Sequence, residues 1–175
     1  MHLQAIRTTL CTQRRHMITL MTMDLSEIRM IEQKERFLVT VDVPPDTSFE
    51  EEVELITAET EKYHLGRLHD ASYGSMISIS SLQNGNFDDY STLFIELPFL
   101  TYQSAMHTTP GGKYLQAFHK GSWDKIPERY EEIFAYAQTH NLVLHGYSYE
   151  MGINETVIDN IEDYIVQIEI PVTEI

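Results

Sequence analysis

The chain has 175 residues, with 12 lysines and arginines against 27 aspartates and glutamates, a net charge of −15. That length supports one domain, or one domain with an appendage, and 42% hydrophobic with 22% charged residues is the composition of a globular chain rather than a disordered one. The negative balance argues against a nucleic-acid footprint or an anionic membrane surface, both of which need clustered Lys and Arg, and it suits cationic partners.

The charge is divided along the chain. Residues 1–23 carry Arg7, Arg14 and Arg15 and no acid, while residues 24–175 hold all the acids and a balance of −18. The single cysteine, Cys11, excludes an intrachain disulfide and fits a reducing, cytoplasmic setting. No apolar run approaches the ~18 residues of a membrane span, and the N-terminus lacks the apolar core of a signal peptide. Leu3, Ile6, Leu10, Gln13, Met17 and Leu20 form a seam at three- and four-residue spacing, which predicts a helical arm over residues 1–23. An isolated helix of this length is marginal in water, so the seam needs a partner. A second copy of the chain is favoured over the domain itself, giving a homodimer through residues 1–23.

From Ile28 onward the period shifts toward two. Phe37, Val39, Val41 and Val43 predict a strand that Pro44-Pro45 ends. Asp46, Thr47 or Ser48 caps the next helix, whose first turn holds Glu50, Glu51 and Glu52 and whose apolar side is Phe49, Val53, Ile56 and Tyr63, with Gly66 as its stop. Met76–Ser80 reads as a short strand, Asn84-Gly85-Asn86 as a turn, and Leu93, Ile95 and Leu97 as a strand closed by Pro98. The order then returns. Tyr114–His119 is a strand, Ile126, Tyr130, Ile133, Phe134 and Ala137 mark a helix, Val143–Glu150 is a strand, and Tyr164, Val166, Ile168 and Ile170 alternate to a last strand closed by Pro171.

Strand, helix, strand, strand thus occurs twice, and Ile95-Glu96-Leu97-Pro98 resembles Ile168-Glu169-Ile170-Pro171. The expected fold is α+β: a duplicated βαββ repeat, halves about 24–100 and 110–172, with helices packed on an antiparallel sheet. A single domain over residues 24–175 follows the arm. A groove where the halves meet is the natural ligand site.

No metal-ligating motif is present, since the eight histidines sit in no HExxH or CxxC context. No GxSxG nucleophile occurs, and Gly111-Gly112 lacks the strand–loop–helix setting of a phosphate loop. No cofactor and no catalytic residue is assigned. The aromatic inventory says more: Tyr73, Phe99, Phe118, Trp123, Tyr147, Tyr149 and Tyr164 fall on the strands and connections expected to line the groove. Glu150 closes an apolar, aromatic strand. An acid there either faces solvent or faces the groove, where burial raises its pKa unless a cation neutralises it, and where aromatic faces add cation–π attraction.

The stretch from Ser26-Glu27-Ile28-Arg29 to Ile168-Glu169-Ile170-Pro171 resembles the GyrI-like small-molecule-binding domain, above all the effector domain of MerR-type multidrug-responsive transcription activators. The resemblance rests on Ser72-Tyr73-Gly74, Pro110-Gly111-Gly112-Lys113-Tyr114, Tyr149-Glu150-Met151 and Glu162-Asp163-Tyr164, in that order. It implies that Glu150 matches the buried glutamate that meets cationic lipophilic drugs, and that Tyr73 and Tyr164 match aromatic pocket positions, with Trp123 near another. Phe118, Tyr147 and Phe49 complete the candidate ligand-binding set. Gly121 and Ile126 stand where multidrug members place further aromatics. The arm resembles the end of the long helix that joins a MerR-type DNA-binding domain to its effector domain. With no helix-turn-helix before it, direct nucleic-acid binding by these residues alone is not expected. The chain is read either as a regulator lacking that domain or as a stand-alone relative.

The resulting expectation is a non-enzymatic domain that binds a small, lipophilic, cationic effector. The alternatives are a hydrolase of electrophilic small molecules using the same glutamate, and a module that inhibits a protein partner.

Overall fold

The computed structural model describes residues 18, 24–44, 46–63, 72–96, 106–154 and 159–175. The arm expected at residues 1–23, the helix stop at Gly66 and the aromatic Phe99 lie outside them, Ile18 excepted, which is helical. In chain order the elements are β1 (Arg29–Gln33), β2 (Arg36–Asp42), α1 (Phe49–Glu61), β3 (Ser72–Ser78), α2 (Ile79–Gln83), β4 (Thr92–Glu96), β5 (Met106–Thr109), β6 (Gly112–Lys120), α3 (Ile126–Thr139), β7 (Leu142–Leu144), β8 (Tyr147–Gly152) and β9 (Ile165–Glu174). Single 3₁₀ turns cover Trp123–Lys125 and Ile161–Asp163. No helix among the described residues is long and apolar enough to cross a membrane.

The strands form an antiparallel sheet in the order β1-β6-β9-β8-β3-β4-β2-β5, with β7 paired to the far end of β9. This is the expected α+β class, and the doubled order is visible in the pairing. β2, α1, β3 and β4 lie as β2-β4-β3, and β6, α3, β8 and β9 lie as β6-β9-β8. The two triplets meet where β3 pairs with β8, with Ser75 opposite Glu150.

Period-two alternation divides the core between the two faces of the sheet. On one face α3 lays Ile126, Tyr130, Ile133 and Ala137 against Leu115, Ala117, Val166, Ile168 and Ile170. On the same face Ile56 of α1 packs on Val39, Leu93 and Ile95. Ser48 starts α1 with a capping box: its Oγ accepts from the Glu51 amide, and the Glu51 carboxylate accepts from the Ser48 amide. Arg129 of α3 is buried and its Nη2 donates to the carbonyls of Leu25, Ser26 and Glu27, which fixes the chain as it enters β1.

The opposite face is built from Leu38, Met76, Phe94, Tyr114, Tyr149 and Met151. It also holds buried Glu169, whose carboxylate accepts from Gln33, Arg36, Gln116 and Gln167. Arg36 lies on β2 and Glu169 on β9, four strands apart in the sheet order. Flat, they would be about 19 Å apart at the usual strand spacing. Their ion pair at 3.0 Å requires the sheet to curl into a half-barrel.

Three boundaries differ from the expectation, and two strands are additional. Val143–Glu150 is not one strand: Gly146, at φ +71°, breaks it into β7 and β8, a left-handed conformation that glycine adopts without steric cost. Of Met76–Ser80, Met76–Ser78 is the end of a longer β3, and Ile79 onward turns into α2 because Ser78 caps it. Pro171 does not close the last strand. It sits between the residues of β9 that pair with β8 and those that pair with β7, where its missing amide leaves no ladder bond unmade. The short strands β1 and β5 were not anticipated, since neither carries a clear alternation.

Gly74 on β3 has no room for a side chain, because a Cβ there would stand 1.9 Å from the Glu150 carbonyl oxygen and 2.8 Å from the Phe94 ring. Gly74→Ala is therefore expected to destabilise the fold by about 3 kcal/mol or more, since the nearest atom is backbone and cannot yield. Chemical denaturation compared with Gly85→Ala, a site with nothing within 4 Å and only a turn to strain, checks this.

Candidate functional site

The helix face of the sheet holds a cavity of about 390 Å³ where the two triplets of strands join. That volume suits a drug-sized molecule. Its floor comes from Tyr73, Gly74 and Ser75 of β3, Leu93 of β4, Glu150 and Gly152 of β8 and Val166 of β9. Glu52, Val53 and Ile56 of α1 form one wall. Trp123, Asp124 and Ile126 at the start of α3, together with Tyr164, form the other. Asp88 and Tyr90, from the connection between α2 and β4, complete it.

Glu150 is the chemical centre of this cavity. It lies on a strand paired on both sides, with Ser75 and with Ile168, so its backbone cannot shift to carry the carboxylate outward. Only 5% of the residue is exposed. The Tyr130 hydroxyl donates to Oε1, and the Tyr90 hydroxyl donates to Oε2 at 3.3 Å. Ser148 stands 2.7 Å from the Tyr130 oxygen, and since Tyr130 spends its proton on Glu150, Ser148 is the donor of that pair. No ion pair is formed by Glu150 among the described residues. Burial pushes its carboxyl up to about 7, against the pull of the two phenol hydrogen bonds. Burial first, and then the same carboxylate, raises the pKa of both Tyr130 and Tyr90. Among the described residues the cavity therefore holds a desolvated acid with two hydrogen bonds and no cation.

Four of the seven expected ligand residues converge here: Glu150, Tyr73, Tyr164 and Trp123. The Trp123 ring meets the Tyr164 ring edge-on, with centroids 5.7 Å apart. Ile126 also lines the wall and contributes an aliphatic group to it. Two of the expected residues point elsewhere. Phe118 packs with Ile153, Ile165 and Leu25, away from the cavity. Tyr147 lies on the sheet face opposite Glu150 and meets the His107 ring edge-on at 5.4 Å. The groove aromatic Tyr149 shares that opposite face, within hydrogen-bond reach of His107 Nε2 at 2.8 Å. On a strand, residues one or three positions from Glu150 must face away from it. Phe49 begins α1, and its side chain lies outside the described residues.

Sequence reasoning missed Tyr90, Tyr130 and Ser148, the hydroxyls around the carboxylate. Ser148 was legible, being two positions from Glu150 on one strand. Tyr130 was read only as part of an apolar helix side. Tyr90 reaches the site from a connection whose path no local pattern states. Among the described residues no group of His, Cys, Asp and Glu is placed to hold a metal ion.

Residues 26–173 match the family model described as the GyrI-like small molecule binding domain. No curated protein matches the chain significantly. Among solved structures, the EcmrR C-terminal domain is similar at a TM-score of 0.63 and 14% identity, covering 87% of this chain and 100% of that one. The EcmrR–DNA complex determined by cryo-EM is similar at 0.60 and 14% identity, covering 97% of this chain and 66% of EcmrR. A hydrolase from Listeria innocua is similar at 0.56 and 14% identity, covering 89% and 96%. At these identities the likeness is one of fold.

Glu150 carries a sign that thermal unfolding can read. The unfolded chain releases this proton near 4.5, whereas the folded protein holds it to about 7, so native stability falls as pH rises across that window. The loss amounts to about 3 kcal/mol. Glu150→Gln is expected to melt above wild type at pH 8 and close to it at pH 5. Parallel melting curves at the two pH values would show that Glu150 is not desolvated.

Proposed function

The chain belongs to the GyrI-like small molecule binding domain family, and we propose that it captures a lipophilic, cationic small molecule in the cavity with Glu150 as charge partner. The observation that carries this reading is a buried carboxylate with no cation beside it among the described residues, on the floor of an aromatic-walled cavity. A cation entering the cavity replaces the proton that burial otherwise holds on Glu150. Trp123, Tyr164 and Tyr73 supply ring faces that attract positive charge, each worth roughly 0.5–2 kcal/mol when well placed. Tyr90, the more weakly bonded phenol and the less buried one, is the donor that the ligand displaces, while Tyr130 continues to orient the carboxylate.

In this proposal the chain is the effector-binding domain of a MerR-type transcription regulator, or a stand-alone relative of one. Residues 1–23 serve as its pairing helix. Differential affinity of the effector for two states of the regulator is what such a domain contributes to control.

A second reading rests on one further observation. A carboxyl held near 7 is poised as a general base at neutral pH, so the same residue could activate water toward a neutral electrophile in the cavity. Sustained product formation over time, lost in Glu150→Ala, is the result that reading needs. Capture at one equivalent without product leaves the binding role alone.

Calorimetric titration with tetraphenylarsonium, whose charge does not depend on pH, tests cation capture. Glu150 passes from about one-tenth to about nine-tenths ionised between pH 6 and pH 8, so the affinity is expected to rise about tenfold over that range. Glu150→Gln is expected to bind about 10- to 100-fold more weakly at pH 8, the loss of a charge-assisted contact of about 1.5–3 kcal/mol, and to lose the pH dependence. Equal affinity in the two proteins removes the charge-partner role.

A further inference from the structure

One carboxylate is enough to hold a monocation, yet the cavity is lined by four: Glu150, Glu52, Asp88 and Asp124. No lysine, arginine or histidine joins them among the described lining residues. The four acids sit at different depths. Glu150 is buried on the floor, Glu52 is half-buried, and Asp88 and Asp124 are exposed at the solvent side. They also come from separate elements: Glu52 from the first turn of α1, Asp88 from the connection before β4, and Asp124 from the turn before α3.

Their orientation is selective. Glu51 turns back to cap α1 through Ser48, whereas its neighbour Glu52 lines the cavity, where desolvation holds its carboxyl above the usual range. After burial, Glu150 and then Asp88 raise the pKa of the Tyr90 hydroxyl, so the floor acid and a rim acid act on one phenol. Asp124 follows Trp123, the ring that abuts Tyr164. The walls rising from the floor are lined by apolar Val53, Ile56 and Ile126. Negative charge at both ends of an apolar passage is complementary to a molecule with positive charge at both ends.

Resting on cation capture at Glu150, we infer that the cavity selects elongated dications: one cationic centre meets Glu150 at the floor, an apolar spacer lies along the wall, and a second centre is held by Glu52, Asp88 and Asp124 at the rim. The two levels answer differently to salt. Exposed charges are screened within about 10 Å at ordinary ionic strength, and a desolvated carboxylate is screened much less.

The test compares decamethonium with its monocationic counterpart, (ω-hydroxydecyl)trimethylammonium, on the full chain by calorimetry. Wild type is expected to bind the dication about tenfold more tightly at low salt, with the ratio shrinking toward unity as salt is raised. The triple variant Glu52→Gln, Asp88→Asn, Asp124→Asn is expected to bring the ratio near unity at low salt. The salt series on wild type needs no variant, so a misfolded triple variant does not protect the inference. Equal affinity for the two ligands in wild type overturns it, as does a preference that persists at high salt. Glu150→Gln separates the two layers. If it weakens both ligands while wild type shows no preference, dication selection falls and cation capture stands; if it weakens neither, cation capture itself falls.

Discussion

The pairing of β3 with β8 is the constraint on which the rest of the molecule depends. It is the seam between two triplets of strands that share one order, and it is made possible by the absence of a side chain at Gly74. Along that seam the Glu150 backbone is locked on both sides, so its carboxylate is delivered to one face of the sheet and stays there. α1 and α3 cover the same face from either half and leave between them the space that becomes the cavity. A duplicated sheet with one helix per half produces such a gap without any residue being selected for it. The chemistry then depends on what stands at the seam.

Two buried glutamates show how this sheet treats charge. Glu169 faces the side away from the helices and is met by Arg36 and three glutamine side chains, so its charge is compensated and serves to hold the curl of the half-barrel. Glu150 faces the cavity and is met by two phenols. Removing water from a carboxylate costs several kcal/mol unless a partner offsets it. For Glu169 the protein supplies that partner. For Glu150 no cationic partner stands among the described residues, and the offset is a retained proton. The two carboxylates differ in their partners rather than in depth, since both are buried to a similar extent.

Much of the fold was legible because it follows from local rules. The alternation of Val39 and Val41, the Ser48 cap with its acidic first turn, and the apolar spacing of Ile126, Tyr130, Ile133 and Ala137 each have one favoured solution. The order of these elements revealed the doubling. The errors have local causes too. Gly146 breaks a run that apolar content alone presents as continuous. Pro171 is tolerated because two partner strands change over beside it, a fact of pairing that no single strand carries. Phe118 and Tyr147 were assigned to the site for being aromatic, although strand alternation already places Tyr147 opposite Glu150.

The sequence by itself determined that this is an acidic, duplicated α+β chain with a single acid after an aromatic strand, because composition and periodicity are written along the backbone. It singled out Glu150 and three of its aromatic neighbours. Tertiary structure decided whether that acid met solvent or the interior, and which hydroxyls and carboxylates came to surround it. Tyr90, Tyr130, Glu52, Asp88 and Asp124 lie between 20 and 98 residues from Glu150 in the chain. Their convergence follows from the register at the β3–β8 seam and the packing of two helices beside it, and desolvation, which sets the state of the Glu150 proton, exists only once that packing is complete.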